Sequence, residues 1–111
     1  MKNNHGVFRR LLQSYFCNHL MLEREVSDKT ISSYRDVFRL LSRFWKEYRA
    51  AKGDFAFNDF NASLIIAFLK YLEDERHNSP RTRNHRLAGI HSFAEYVAMT
   101  EPRYAGQMQA I

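Results

Sequence analysis

Apolar residues recur along this chain at three- and four-residue steps, and no stretch sustains the alternation of a strand. A first helix is predicted over about 7–23, where Phe8, Leu12, Tyr15, Phe16 and Leu20 share a face. A second, over about 28–51, sets Tyr34, Val37, Leu41, Phe44 and Tyr48 on one stripe, flanked by Phe38 and Trp45, with Gly53 as its stop. The third spans about 62–76. Asn61 supplies its cap, Leu64, Ile65, Phe68, Leu69 and Leu72 face inward, and "EDE" at 73–75 is solvated. The fourth runs from about 80 to 99 on Leu87, Ile90, Ala94 and Val97, and closes at Glu101-Pro102, because the residue before a proline avoids helical backbone. The joint "GDFAFNDFN" at 53–61 is short and aromatic, so Phe55, Phe57 and Phe60 are expected to fold back onto the core. The expected fold class is all-α, a compact bundle of four main helices over residues 1–102, followed by a tail at 103–111 that looks like the start of something further.

Two of these helices begin alike. "SDKTISSYR" at 27–35 and "SPRTRNHRL" at 79–87 each read Ser, one residue, a base, then Thr. Ser27 and Ser79 are suited to cap the exposed backbone N–H groups of the turn that follows. Asp28 suits the first helical position by its charge against the dipole, and Pro80 by its fixed φ. Lys29 and Arg81 then fall at the second position, where a cation opposes the positive end of the helix dipole at a cost of about 0.3–1 kcal/mol. The same unfavourable placement on two helices points to an anion nearby, and a helix start already offers N–H donors to phosphate. On helical wheels Arg81, Thr82 and His85 project away from the core, and Arg83 and Arg86 lie on the flank. Lys29, Ser32 and Asp36 share one polar flank of the second helix with Ser33 at its inner edge, and Arg35 and Arg39 point directly away from the core.

Charge sharpens this picture. The net charge is +5, distributed as +6 over residues 1–53, −4 over 54–75 and +3 over 76–111, and no acid occurs between Arg76 and Ala94. Segregated acids on a basic domain fit a polyanionic partner. The longest apolar run, "LIIAFL" at 64–69, is far short of the roughly 20 residues a bilayer requires. Lys2, Asn3 and Asn4 after Met1 carry no secretion pattern. The lone Cys17 permits no internal disulfide, fits a reducing cytoplasm and reads as a small apolar filler. His85 and His91 are six residues apart and fall on different helix faces, so no metal or other cofactor is expected. The paired acids of "EDE" lack an apolar enclosure and there is no Gly-rich phosphate loop, which argues against an independent hydrolase.

"VSDKTISSYRDVFRLLSRF" followed by "SPRTRNHRLAGIHSFAEYV" resembles the N-terminal core-binding domain of tyrosine recombinases, the phage-integrase family with a SAM-like helical fold. The likeness runs from about Phe8 to Pro102 and takes in "LEREV", "FLKYLEDER" and the proline after the fourth helix. It implies that the domain is half of a clamp on duplex DNA, with the second and fourth helices facing the nucleic acid. Carried over by position, Lys29, Thr30, Ser32 and Ser33 are the implied contacts on the second helix, with Arg35 beside them. On the fourth they are Arg81, Thr82 and His85, with Arg83 and Arg86 as phosphate contacts. It also implies other recombinase protomers as partners of the full-length protein, a bacterial or phage setting, and no membrane or small-molecule substrate. The family's Arg, Lys, His and Tyr machinery belongs to a second domain beyond Pro102. This chain is therefore expected to be non-enzymatic, with 103–111 leading into a linker, and Tyr96 and Tyr104 as packing or linker residues. The rival reading is a helical protein-interaction module whose aromatic surplus serves a partner. Salt dependence separates the two, since only the polyanion contact releases counterions.

Overall fold

The computed structural model describes residues 4–23, 26–47 and 55–111. Among them the chain runs through α1 (Asn4–Ser14), a π-wound continuation (Tyr15–Glu23), α2 (Asp28–Glu47), a 3-10 turn (Phe57–Asp59), α3 (Ala62–Asp74), α4 (Pro80–Thr100), a second 3-10 turn (Pro102–Tyr104) and α5 (Ala105–Gln109). The fold is all-helical, as the spacing predicts. The expected reach of the second helix to 51, with Tyr48 and Gly53, lies outside the described residues.

Local chemistry sets the helix starts. Asn61 accepts the Leu64 N–H at 3.0 Å and caps α3. Ser79 caps α4 with Pro80 at the first position. Asp28 in the first turn of α2 and Lys46 in its last both favour the dipole. Between α3 and α4 the backbone turns through a left-handed His77, φ 53°, and the Asn78 N–H donates to Leu72 O at 2.9 Å to close the corner.

The first helix is not uniformly α. From Tyr15 it winds as a π-helix, in which residues five apart share a face. Tyr15 and Leu20 are both buried, a pairing that α spacing would splay apart. Leu11, absent from the predicted stripe, is buried too.

The core is aromatic and centred on α4. Phe93 is fully buried, its ring 5.7 Å from Phe8, 5.4 Å from Tyr15, 5.3 Å from Phe38 and 5.5 Å from Phe60, so every preceding segment but α3 brings it a ring. Ile90, Ala94 and Val97 are buried as expected, whereas Leu87 is only half-buried against the core. Phe57 and Phe60 fold inward completely and Phe55 partly, as the joint predicts. Cys17 departs from the expected apolar filler: it is exposed, because Phe16 and Leu20 take the inward positions of that turn.

The last residues pack on the bundle. Met108 of α5 is buried, Tyr104 lies 4.2 Å from Phe57 ring to ring, and the Gln107 side-chain amide donates to Phe57 O at 2.9 Å and Phe60 O at 2.8 Å. One glutamine thus satisfies two carbonyls of the aromatic joint, tying the chain end to the core. Tyr96 is likewise a packing residue, buried with its hydroxyl 2.7 Å from Ser14 Oγ.

Helices α2 and α4 approach closely where Gly89 faces Tyr34. A Cβ at Gly89 would stand 3.0 Å from Tyr34 Cδ1. Alanine there sets a gain in helix propensity against this contact, but a branched side chain has no room. Gly89→Val is expected to destabilise by about 1–3 kcal/mol through overpacking, read as a lowered urea midpoint.

Candidate nucleic-acid interface

The two matching helix starts have matching geometry. Ser27 Oγ accepts the Thr30 N–H at 3.2 Å and donates to Thr30 Oγ1 at 3.0 Å. Ser79 Oγ accepts the Thr82 N–H at 3.1 Å and donates to Thr82 Oγ1 at 3.1 Å. Each serine carbonyl also takes the first intrahelical bond, from Ile31 and Arg83 respectively. In both helices the second position, Lys29 or Arg81, carries an exposed cation beside a backbone N–H that no helical bond engages. Each threonine hydroxyl accepts from its serine and keeps its own O–H to give. Ser27→Ala and Ser79→Ala are each expected to cost about 0.5–2 kcal/mol, measured by urea unfolding, because each strands a first-turn donor.

These starts sit close to the α2–α4 crossing. The Tyr34 and His85 rings are 6.3 Å apart, and Tyr34 also packs on Gly89. Lys29 precedes Tyr34 by five residues and Arg81 precedes His85 by four. Along the helix axes Lys29 therefore stands about 7.5 Å before Tyr34, and Arg81 about 6 Å before His85 and about 12 Å before Gly89. Lys29, Ser32, Arg81, Thr82 and His85 are exposed, while Thr30 and Ser33 are half-buried.

Three of the predicted arginines are engaged within the fold. Arg83, half-buried, pairs with the Glu73 carboxylate at the end of α3 and donates to Asn84 Oδ1 at 3.2 Å. Arg86 Nε donates to Asn78 Oδ1 at 3.1 Å. Burial lowers the Arg86 pKa, Arg76 nearby lowers it further, and Asp36 across on α2 opposes both. Arg83 and Arg86 thus fasten α4 to α3 and to the corner. Glu73, expected to be merely solvated, is exposed but holds one of these fastenings. Arg35 is exposed but turns toward the π-wound continuation of α1, its guanidinium carbon 5.6 Å from the centre of the Phe16 ring. One exposed residue absent from the predicted set, Arg76, is close enough to act on Arg86. The acid-free run that starts at Arg76 is the signal that marks it.

Among the described residues no helix is long and apolar enough to cross a membrane, and no group of three or more His, Cys, Asp or Glu side chains is placed to hold a metal.

Comparison with known proteins gives a family model, phage integrase, N-terminal SAM-like domain, that matches residues 14–101. Two similar relatives come from Sinorhizobium fredii (strain NBRC 101917 / NGR234). One, named "Putative integrase/recombinase y4rC", is 42% identical over 108 residues, covering 96% of this chain and 32% of the relative. The other, "Putative integrase/recombinase y4rD", is 36% identical over 110 residues, covering 98% of this chain and 39% of the relative. The chain therefore spans between about a third and two fifths of the length of these curated relatives. No solved structure gives a significant match. The family match runs from the end of α1 through α4, so the chain belongs to the phage integrase family as an N-terminal SAM-like domain.

Proposed function

We propose that this domain binds duplex DNA during site-specific recombination, gripping it with the N-terminal parts of α2 and α4. The observation that carries the reading is the pair of equivalent serine caps, each followed by an exposed cation, on helices that meet at Tyr34, His85 and Gly89. Lys29 and Arg81 neutralise phosphates, and the free first-turn N–H groups donate to the same anions. Ser32, Thr82 and His85 offer short polar groups to phosphates or base edges, with Thr30 and Ser33 behind them. Arg83 and Arg86 contribute field and hold α4 in place rather than leading the contact, and Arg35 stands to one side of the grip. The domain acts as half of a clamp. On this reading the other half, and the strand-cleaving chemistry, belong to a second domain into which residues 103–111 lead. Other recombinase protomers are partners of that larger assembly.

A salt titration tests the reading. Binding of the chain to a labelled duplex, followed by fluorescence anisotropy, should weaken linearly in log K against log salt with a slope near −0.9 for each phosphate neutralised. Binding by this domain alone is expected to be weak and nearly indifferent to sequence, because half of the clamp is missing. A slope near zero would favour the protein-interaction module instead.

A further inference from the structure

A second surface lies on the other shoulder of α2. Between α1 and α2 runs an open groove of about 350 Å³ with Leu12, Phe16 and Phe38 at its floor and Arg9, Arg35 and Arg39 on its rim. Phe16 and Phe38 are largely buried, and Leu12 is half-buried, its remaining surface facing the groove. The rim is cationic in excess. No carboxylate among the described residues pairs with Arg9 or Arg35, and Arg39 shares only Asp36, at 3.3 Å in an exposed pair. No acidic side chain lines the groove. Arg35 lies over the Phe16 ring, its guanidinium carbon 5.6 Å from the ring centre.

We propose that this groove docks an acidic amphipathic helix of a partner protein. Its apolar side chains seat on Leu12, Phe16 and Phe38, and its carboxylates reach Arg9, Arg35 and Arg39. Charge complementarity selects the sign of the partner, and the apolar floor selects its class. A phosphodiester backbone satisfies arginines but has no apolar group to seat on the open side of Leu12 and on the ring edges of Phe16 and Phe38 that reach the groove. A helix with acids flanking an apolar stripe does both at once, and a cleft between two helices accepts a third in that manner. Paired guanidinium–carboxylate contacts then fix its orientation. The surface is separate from the α2–α4 grip, since Arg35 and Arg39 face α1 whereas Tyr34 faces α4.

The test uses the intact chain and two labelled synthetic peptides of about four helical turns. One carries Leu at every third and fourth position with Glu elsewhere, and the other keeps the leucines with Lys in place of Glu. The Glu peptide is expected to bind with an affinity that falls as salt rises, and the Lys peptide at least about tenfold more weakly. Arg9→Glu with Arg35→Glu should weaken the Glu peptide about tenfold while the thermal midpoint falls only slightly, since both side chains are exposed and only the Arg35 contact with the Phe16 ring is lost. Should that pair disturb folding, the milder Arg9→Gln with Arg35→Gln is expected to act in the same direction. Amide shift changes should centre on Leu12 and Phe38. Equal affinity for both peptides, unchanged affinity in the variants, or shifts confined to Arg81 and His85 would overturn the assignment. So would displacement of the peptide by duplex DNA, which makes the groove nucleic-acid surface. Self-association of the chain that the arginine variants abolish would assign the groove to a second copy and equally overturn it.

Discussion

Phe93→Ala should lower the stability of the domain by about 3–5 kcal/mol, the range for removing a large ring from a well-packed core. The reasons for the upper part of that range are structural. Phe93 is fully buried, and its ring meets Phe8 of α1, Tyr15 of the π-wound segment, Phe38 of α2 and Phe60 of the aromatic joint. Four rings from four segments do not collapse together into the space left behind, because each is held by its own backbone and by its own neighbours. Phe8 is also 4.7 Å from Phe55, and Tyr15 donates to Ser92 Oγ at 2.6 Å. A domain of this size commands about 5–15 kcal/mol in total, so the loss is a large share of the whole. The thermal midpoint should fall by roughly 10 °C or more, followed by circular dichroism. Leu87→Ala should cost less than Phe93→Ala, since Leu87 is only half-buried. A midpoint that falls further for Leu87→Ala than for Phe93→Ala would place the centre of the core elsewhere.

The contrast between those two positions shows where periodicity succeeds and where it stops. In α2 a single apolar stripe faces the core, and Val37, Leu41 and Phe44 can be read directly from their spacing. Asn61, Ser27 and Ser79 are equally legible because a cap is a local event, settled within three residues. Helix α4 is different. Gly89, Ile90, Phe93, Ala94, Tyr96 and Val97 are all buried, since neighbours cover it on more than one side, and no one stripe describes it. The stripe through Leu87 therefore misses Phe93. Pairings across the chain are also invisible to spacing: Arg83 with Glu73 and Arg86 with Asn78 depend on how the α3–α4 corner turns through His77. The charge pattern locates a basic face around α4 but does not say which arginines the fold has already engaged. Likewise, nothing local in "RYAGQMQAI" announces that Gln107 will reach two carbonyls nearly fifty residues away.

Lys29→Glu combined with Arg81→Glu is expected to weaken duplex binding by about a hundredfold, close to 3 kcal/mol. Two phosphate contacts are lost and two repulsions added, and the salt slope should become shallower by about 2. The same change should leave stability intact or raise it. Each cation sits at the second position of its helix, where an acid suits the dipole and a base opposes it, a difference of about 0.3–1 kcal/mol per site. Both side chains are exposed, so no packing is disturbed. Binding and stability are therefore predicted to move in opposite directions. A merely structural role for these residues would not produce that combination. The control is Arg43→Glu with Lys46→Glu near the far end of α2, which alters the net charge by the same amount. There an acid in the last turn of the helix opposes the dipole, and Arg43 loses its long i,i+4 pair with Glu47 at 3.9 Å, so stability should fall slightly while binding falls only a few-fold. Equal losses of affinity in the two double variants would mean that the domain senses net charge alone. A hundredfold loss confined to Lys29 and Arg81, with a higher melting midpoint, would mean that the two helix starts meet the phosphates.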